Sequence, residues 1–167
     1  MRLVAVSGAD SPTSKTRALV AAVVDERDGE LIDLAQLSAD GLLGRSDDAH
    51  VARAVESASN ADVLIVATPV YRATYTGAIK AFFDRFAPRA LARTAVVLVA
   101  TALAKEHFLS LDTSGRALIA SLEGWTVPTV VYATADDFED GRPGAAILAR
   151  LRAAVDEAER LAGAVGS

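Results

Sequence analysis

A chain of 167 residues, 51% hydrophobic and 23% charged, has the length and the apolar material for one domain, 1–167, with a real core. Twenty-two acidic against seventeen basic side chains leave a formal charge of −5, which argues against a nucleic-acid role because no basic surplus exists to neutralise phosphates. The absence of cysteine excludes disulfides, thiolate-ligated metals and thiol catalysis, and two histidines, His50 and His107, are too few for a multi-histidine metal site.

Short apolar runs alternate with helical patterns along the whole chain. Leu3-Val4-Ala5-Val6 reads as a buried strand and 16–24 as the helix that follows it. A weaker strand spans 31–34. After a polar stretch from 38 to 48, Val51, Ala52, Val55 and Ala58 mark an amphipathic helix. Val63-Leu64-Ile65-Val66 is the third strand. Ile79, Phe82, Phe83 and Phe86 then fall at i, i+3, i+4 and i+7, an apolar stripe that Pro88 ends. That stripe carries more apolar area than one small sheet easily covers, so oligomerisation through it is expected. The fourth strand, 95–100, is wholly apolar and so central. The run from 95 to 104 is far short of the ~20 residues of a membrane span, and Met1-Arg2 leads directly into a five-residue apolar strand, shorter than the apolar region a secretory signal needs. A cytoplasmic protein with no membrane partner is expected. Residues 111–122 read as helix, 125–132 as a fifth strand. The last helix places Ile147, Leu148, Leu151, Val155 and Leu161 on one face.

Five β–α units with apolar rather than alternating strands predict a doubly wound α/β domain. Its sheet is parallel, with helices on both faces. The common order for five such strands is the flavodoxin-like 2-1-3-4-5, with ligands at the carboxyl ends of strands 1 and 3. Two loops are thereby nominated. The first, 7–16, carries hydroxyls and Lys15 just ahead of a helix N-terminus, where unpaired N–H groups and a partial positive charge suit a phosphate. Ordinary capping by Ser11 (with Pro12 at the first helical position) or by Ser14 explains the same residues, and Asp10 would repel an anion. Neither a GxGxxG nor a P-loop pattern is present. The second loop, 68–77, holds two tyrosines, an arginine and a proline, a set that suits a flat heteroaromatic ring or, alternatively, a packed turn.

Thr68-Pro69-Val70-Tyr71-Arg72-Ala73-Thr74-Tyr75-Thr76-Gly77-Ala78-Ile79-Lys80 resembles the TPVYxxxYxGxxK signature of the NAD(P)H-dependent FMN reductases of the flavodoxin-like superfamily. Within that family it is most similar to the reductases that serve alkanesulfonate monooxygenases. Ser7-Gly8-Ala9 through Ser14 and Thr16 echo the family's first loop more loosely. The resemblance implies hydride transfer from NADPH or NADH to N5 of FMN, a homodimer or homotetramer, and a monooxygenase that uses reduced flavin as a partner. It implies that Ser7, Ser14 and Thr16 hold the phosphate, and that Pro69, Val70 and Tyr71 line the ring with Arg72 close by. Thr101 and His107 match the ends of a third family loop, whose glycines are Ala102 and Leu103 here. Leu103 must either point away or narrow the nicotinamide's access. No side chain is expected to act as a catalytic acid or base, because the cofactor supplies the chemistry. Two rivals stand beside this reading: an FMN electron carrier, and a relative that keeps the fold while binding flavin weakly or not at all.

Overall fold

The computed structural model describes residues 1–11, 13–103, 109 and 111–165. Four strands, β1 (Leu3–Ser7), β2 (Glu30–Asp33), β3 (Val63–Pro69) and β4 (Ala95–Thr101), form the body of one parallel sheet. Short strands β5 (Trp125–Thr126) and β6 (Val131–Ala133) both pair with β4, and the order is β2-β1-β3-β4-β5. The helices are α1 (Lys15–Asp25), α2 (Ala39–Leu42), α3 (Ala49–Ser59), α4 (Gly77–Phe83), α5 (Arg116–Ser121) and α6 (Ala145–Val165). Alternate strand residues divide between two cores. Val4, Val6, Leu64, Val66, Val96 and Leu98 face α3, α4 and α5. Leu3, Ala5, Val63, Ile65, Val97 and Val99 face α1 and α6. Burial on both faces explains why these strands read as continuous apolar runs. No helix among the described residues is long and apolar enough to cross a membrane, and no metal-holding cluster occurs among them.

The fifth strand departs from expectation. Instead of one strand over 125–132, the chain pairs Trp125 with Ala95 and Val131 with Val99, so six steps on one side face four on the other. Pro128 lies in the interruption and has no N–H to give a ladder. The Arg116 guanidinium satisfies the acceptors exposed there, donating to Thr126 Oγ1 (3.1 Å), the Val127 carbonyl (2.8 Å) and the Pro128 carbonyl (2.6 Å). Asp112 holds its Nε at 2.7 Å. The expected helix over 111–122 likewise opens with a wider π-helical turn, Leu111–Gly115, before α5.

The aromatic stripe is also corrected. Helix α4 stops at Phe83, ahead of Pro88, and turn-type hydrogen bonds carry the chain on to Phe86. Ile79, Phe82, Phe83 and Phe86 are all buried within the chain, and the rings of Phe82 lie edge-on to both neighbours at 5.5 and 5.2 Å. Nothing of that stripe is left over to hold a second copy.

Candidate functional site

A cleft of about 500 Å³ opens at the carboxyl ends of β1, β3, β4 and β6, a volume within the ordinary range of ligand sites. Its first wall is the loop from β1 to α1. Gly8 fixes where that loop runs: its N–H donates to the Ala67 carbonyl (2.8 Å), and its own carbonyl accepts from Thr76 Oγ1 (2.8 Å). A Cβ on Gly8 would stand 2.6 Å from Cδ1 of Ile79 and closer still to its Cγ1. The β1–α1 loop and the start of α4 therefore approach at a distance that only glycine allows.

Ser14 caps α1, its Oγ accepting from the Arg17 N–H at 3.0 Å, which is one of the alternatives the sequence left open. The N–H groups of Lys15 and Thr16, in the same first turn, have no partner among the described residues. Both residues line the cleft, which puts these donors at its wall with the helix dipole behind them. The Thr16 hydroxyl, also in the lining, is 2.5 Å from the hydroxyl of Thr101 at the end of β4. One of these must donate to the other, so at most one proton of the pair is free for a ligand.

The second wall is the loop after β3. Pro69, Val70 and Tyr71 line the cleft, but two of their backbone donors are committed. Val70 N–H bonds the Thr101 carbonyl (2.8 Å), and Tyr71 N–H bonds the Thr74 carbonyl (3.0 Å). They can offer ring and aliphatic surface to a ligand, not those N–H groups. Tyr71 and Thr74 close a tight turn with φ of 53° at Arg72 and 63° at Ala73. Two consecutive left-handed non-glycine residues store strain of about 1–2 kcal/mol each. The Thr74 hydroxyl pins the turn to Ser114 at 2.9 Å. Arg72 stands exposed at the tip and outside the lining. Tyr71 is 50% exposed, and its hydroxyl reaches Asp10 Oδ1 across the cleft at 3.4 Å. Partial burial and then the Asp10 charge push that hydroxyl above the usual tyrosine range.

Thr101, Ala102 and Leu103 form the third wall. Ala102 N–H bonds the Ala133 carbonyl (2.9 Å). Leu103 is 93% exposed and lines the cleft at its rim. His107 lies outside the described residues, as does Pro12. The fourth wall went unanticipated: Thr134, Ala135 and Phe138 follow β6. Asp137 holds this segment by accepting from the Thr134 N–H at 2.7 Å, and Phe138 lies beneath the Lys15 ammonium, 5.3 Å from its ring centroid. Strands β7 (Phe138–Glu139) and β8 (Arg142–Pro143) then turn back through Asp140 and Gly141, both at positive φ.

Ser7 is placed differently from its expected companions. It is fully buried at the end of β1, on the sheet face it shares with Leu3 and Ala5, and it is not part of the lining. Its Oγ has no hydrogen-bond partner among the described residues. The cleft thus brings together Ser14, Thr16, Pro69, Val70, Tyr71 and Thr101, and leaves Ser7 beneath it and Arg72 beside it.

A family model described as NADPH-dependent FMN reductase matches residues 1–139. The chain belongs to that family. It is 35% identical to the NADH-dependent FMN reductase SfnF of Pseudomonas fluorescens (strain Pf0-1), over 98% of this chain and 92% of that one. It is 34% identical to an FMN reductase (NADPH) of Pseudomonas aeruginosa, over 97% and 92% respectively. Among solved structures, the apo form of the NADH:FMN oxidoreductase EMOB superposes with a TM-score of 0.83 at 34% identity, over 94% of this chain and 87% of that one. The donor set of this FMN reductase family member fits the cofactor in kind. Two unpaired helix N–H groups, the Ser14 hydroxyl and the Lys15 ammonium suit a phosphate. The mostly apolar walls formed by Pro69, Val70 and Tyr71 and by Ala135 and Phe138 suit a flat ring.

Proposed function

We propose that this chain reduces FMN at the expense of NADH or NADPH in the cleft between its β1–α1 and β3–α4 loops. The observation that carries the reading is the joining of two chemistries in one cavity of a family member. Unpaired N–H donors and a lysine stand at the α1 N-terminus, and an apolar slot with a half-exposed tyrosine stands at the end of β3. Bound FMN supplies the ring that accepts a hydride from the nicotinamide, chemistry that asks the protein for stacking, distance and electrostatics rather than a proton-transfer residue.

The chain's own residues divide that work. Ser14, Lys15 and Thr16 would hold the phosphate through backbone N–H groups, one hydroxyl and one ammonium. Tyr71 would cover one side of the ring, with Pro69 and Val70 behind it. The strained Arg72-Ala73 turn fixes where Tyr71 stands before any ligand arrives, which lowers the ordering needed on binding. Thr101 supports both sides, bonding Thr16 through its hydroxyl and Val70 through its carbonyl. Relatives named for NADH and for NADPH are about equally similar, so both nucleotides are included. A cytoplasmic home, a single domain over 1–167, assembly as a homodimer or homotetramer, and delivery of reduced flavin to a monooxygenase complete the proposal.

The test is the oxidation of NADH or NADPH by the purified protein with and without added FMN. The reading expects oxidation that depends on flavin and on the intact Tyr71 loop. Flavin-independent oxidation, or none at all, counts against it.

A further inference from the structure

The cleft's own charge bears on which flavins it selects. Among the described lining residues, Asp10 and Lys15 are the ionised ones, and their charges cancel. The next cation along α1, Arg17, is held at 3.1 Å by Asp33 and so is already paired. Asp10 and Lys15 belong to the same loop and helix start, where a phosphate would sit. A dianionic phosphate placed there gains from helix N–H groups and from Lys15, and loses to the Asp10 carboxylate that lines the same cleft. A flavin without the phosphate meets neither effect. The rest of the lining is uncharged, so the ring contributes to FMN and riboflavin alike.

Resting on the reading of the cleft as a flavin site, we propose that Asp10 is a specificity-determining residue: its carboxylate offsets Lys15 and holds down the discrimination between FMN and riboflavin. The wild-type protein then takes both flavins with similar affinity, preferring FMN only modestly. It exchanges them readily rather than retaining one as a fixed group. The Tyr71 hydroxyl, 3.4 Å from Asp10 Oδ1, keeps the carboxylate at the cleft rather than free in solvent. That contact makes Asp10 part of the wall.

Asp10→Asn isolates the charge, because an amide oxygen can still accept from Tyr71. Titration of flavin fluorescence with wild type, Asp10→Asn and Tyr71→Phe, using FMN and riboflavin at low and high salt, reads the effect directly. Asp10→Asn should tighten FMN roughly tenfold, a change of about 1.4 kcal/mol, while moving riboflavin less than about twofold. The gain should shrink as salt screens it. Tyr71→Phe keeps the charge but frees the carboxylate from its contact, and should raise the FMN-to-riboflavin ratio part-way toward that of Asp10→Asn. Equal tightening of both flavins by Asp10→Asn, or an unchanged ratio, overturns the role given to Asp10. Failure of wild type to bind either flavin overturns the parent reading, and this inference with it.

Discussion

Replacing Gly8 by alanine tests how the cleft is built. The new Cβ would lie 2.6 Å from Ile79 Cδ1 and nearer still to Cγ1, with Thr76 Oγ1 at 3.1 Å. Carbon atoms in contact prefer roughly 3.5–4.0 Å, so either Ile79 or the β1–α1 loop must move by about 1 Å or more. Ile79 is fully buried among Phe82 and the sheet and has nowhere to go, so the loop shifts. That shift stretches the bonds from Gly8 N–H to Ala67 and from Thr76 to the Gly8 carbonyl. Overpacking at about 1–3 kcal/mol plus the two stretched hydrogen bonds at about 0.5 kcal/mol each gives a loss of roughly 2–4 kcal/mol. In a domain of this size that lowers the Tm by roughly 5–15 °C. The diagnostic is a double-mutant cycle. Ile79→Ala alone should destabilise by about 2–5 kcal/mol through its cavity. Gly8→Ala placed into that cavity should then do little further harm, so the double variant falls short of the sum by at least ~1 kcal/mol. Urea unfolding of the four proteins measures it. Strict additivity, or a harmless Gly8→Ala, would show that the loop does not meet α4 where the structure puts it.

Three shorter predictions accompany it. Ser14→Ala removes the α1 cap, which should cost about 1 kcal/mol of stability and weaken FMN more than riboflavin; equal weakening in fluorescence titrations would remove Ser14 from the phosphate site. Tyr71→Ala should weaken both flavins by roughly threefold to tenfold with little change in Tm, because the side chain is half exposed; a variant that unfolds would show a packing tyrosine instead. Asp48, whose carboxylate accepts from Ser38 and from the N–H groups of Val51 and His50, is held below the usual carboxylate range. Its charged form is therefore favoured in the fold, and that stability is present above the unfolded carboxylate's pKa and lost as pH falls through the folded one. The stability gap between wild type and Asp48→Asn should narrow on acidification toward pH ~3, and a gap that widens would contradict the assignment.

The parts of the fold legible in the sequence are those that neighbouring residues decide. Apolar runs such as Val63 to Val66 announce strands buried on both faces, and their parallel pairing follows from the helices between them. The interruption of the fifth strand was not legible, because it depends on Arg116 reaching acceptors 10 to 12 residues ahead; Pro128 was the one local hint. The turn at Asp140-Gly141 did carry a signal, since that dipeptide favours the two positive φ values found there. At the site, Ser14 and Tyr71 could be nominated from the rule that ligands sit at the carboxyl ends of parallel strands, whereas Thr101 came from the family resemblance alone. The same rule extended to the last strand would have found Thr134 and Phe138. Burial of Ser7 and the commitment of the Val70 and Tyr71 N–H groups are consequences of register and turn geometry, which no residue type reveals. The Phe-rich stripe misled because its period shows only that one face is buried, not whether this chain or a second copy buries it.

The most direct measurement mixes the purified protein anaerobically with FMN and either NADH or NADPH and follows the flavin's visible absorbance. The account predicts protein-dependent bleaching, with one nicotinamide oxidised for each flavin reduced and a slower rate in Tyr71→Ala. A folded protein that leaves the absorbance unchanged with both nucleotides would contradict it.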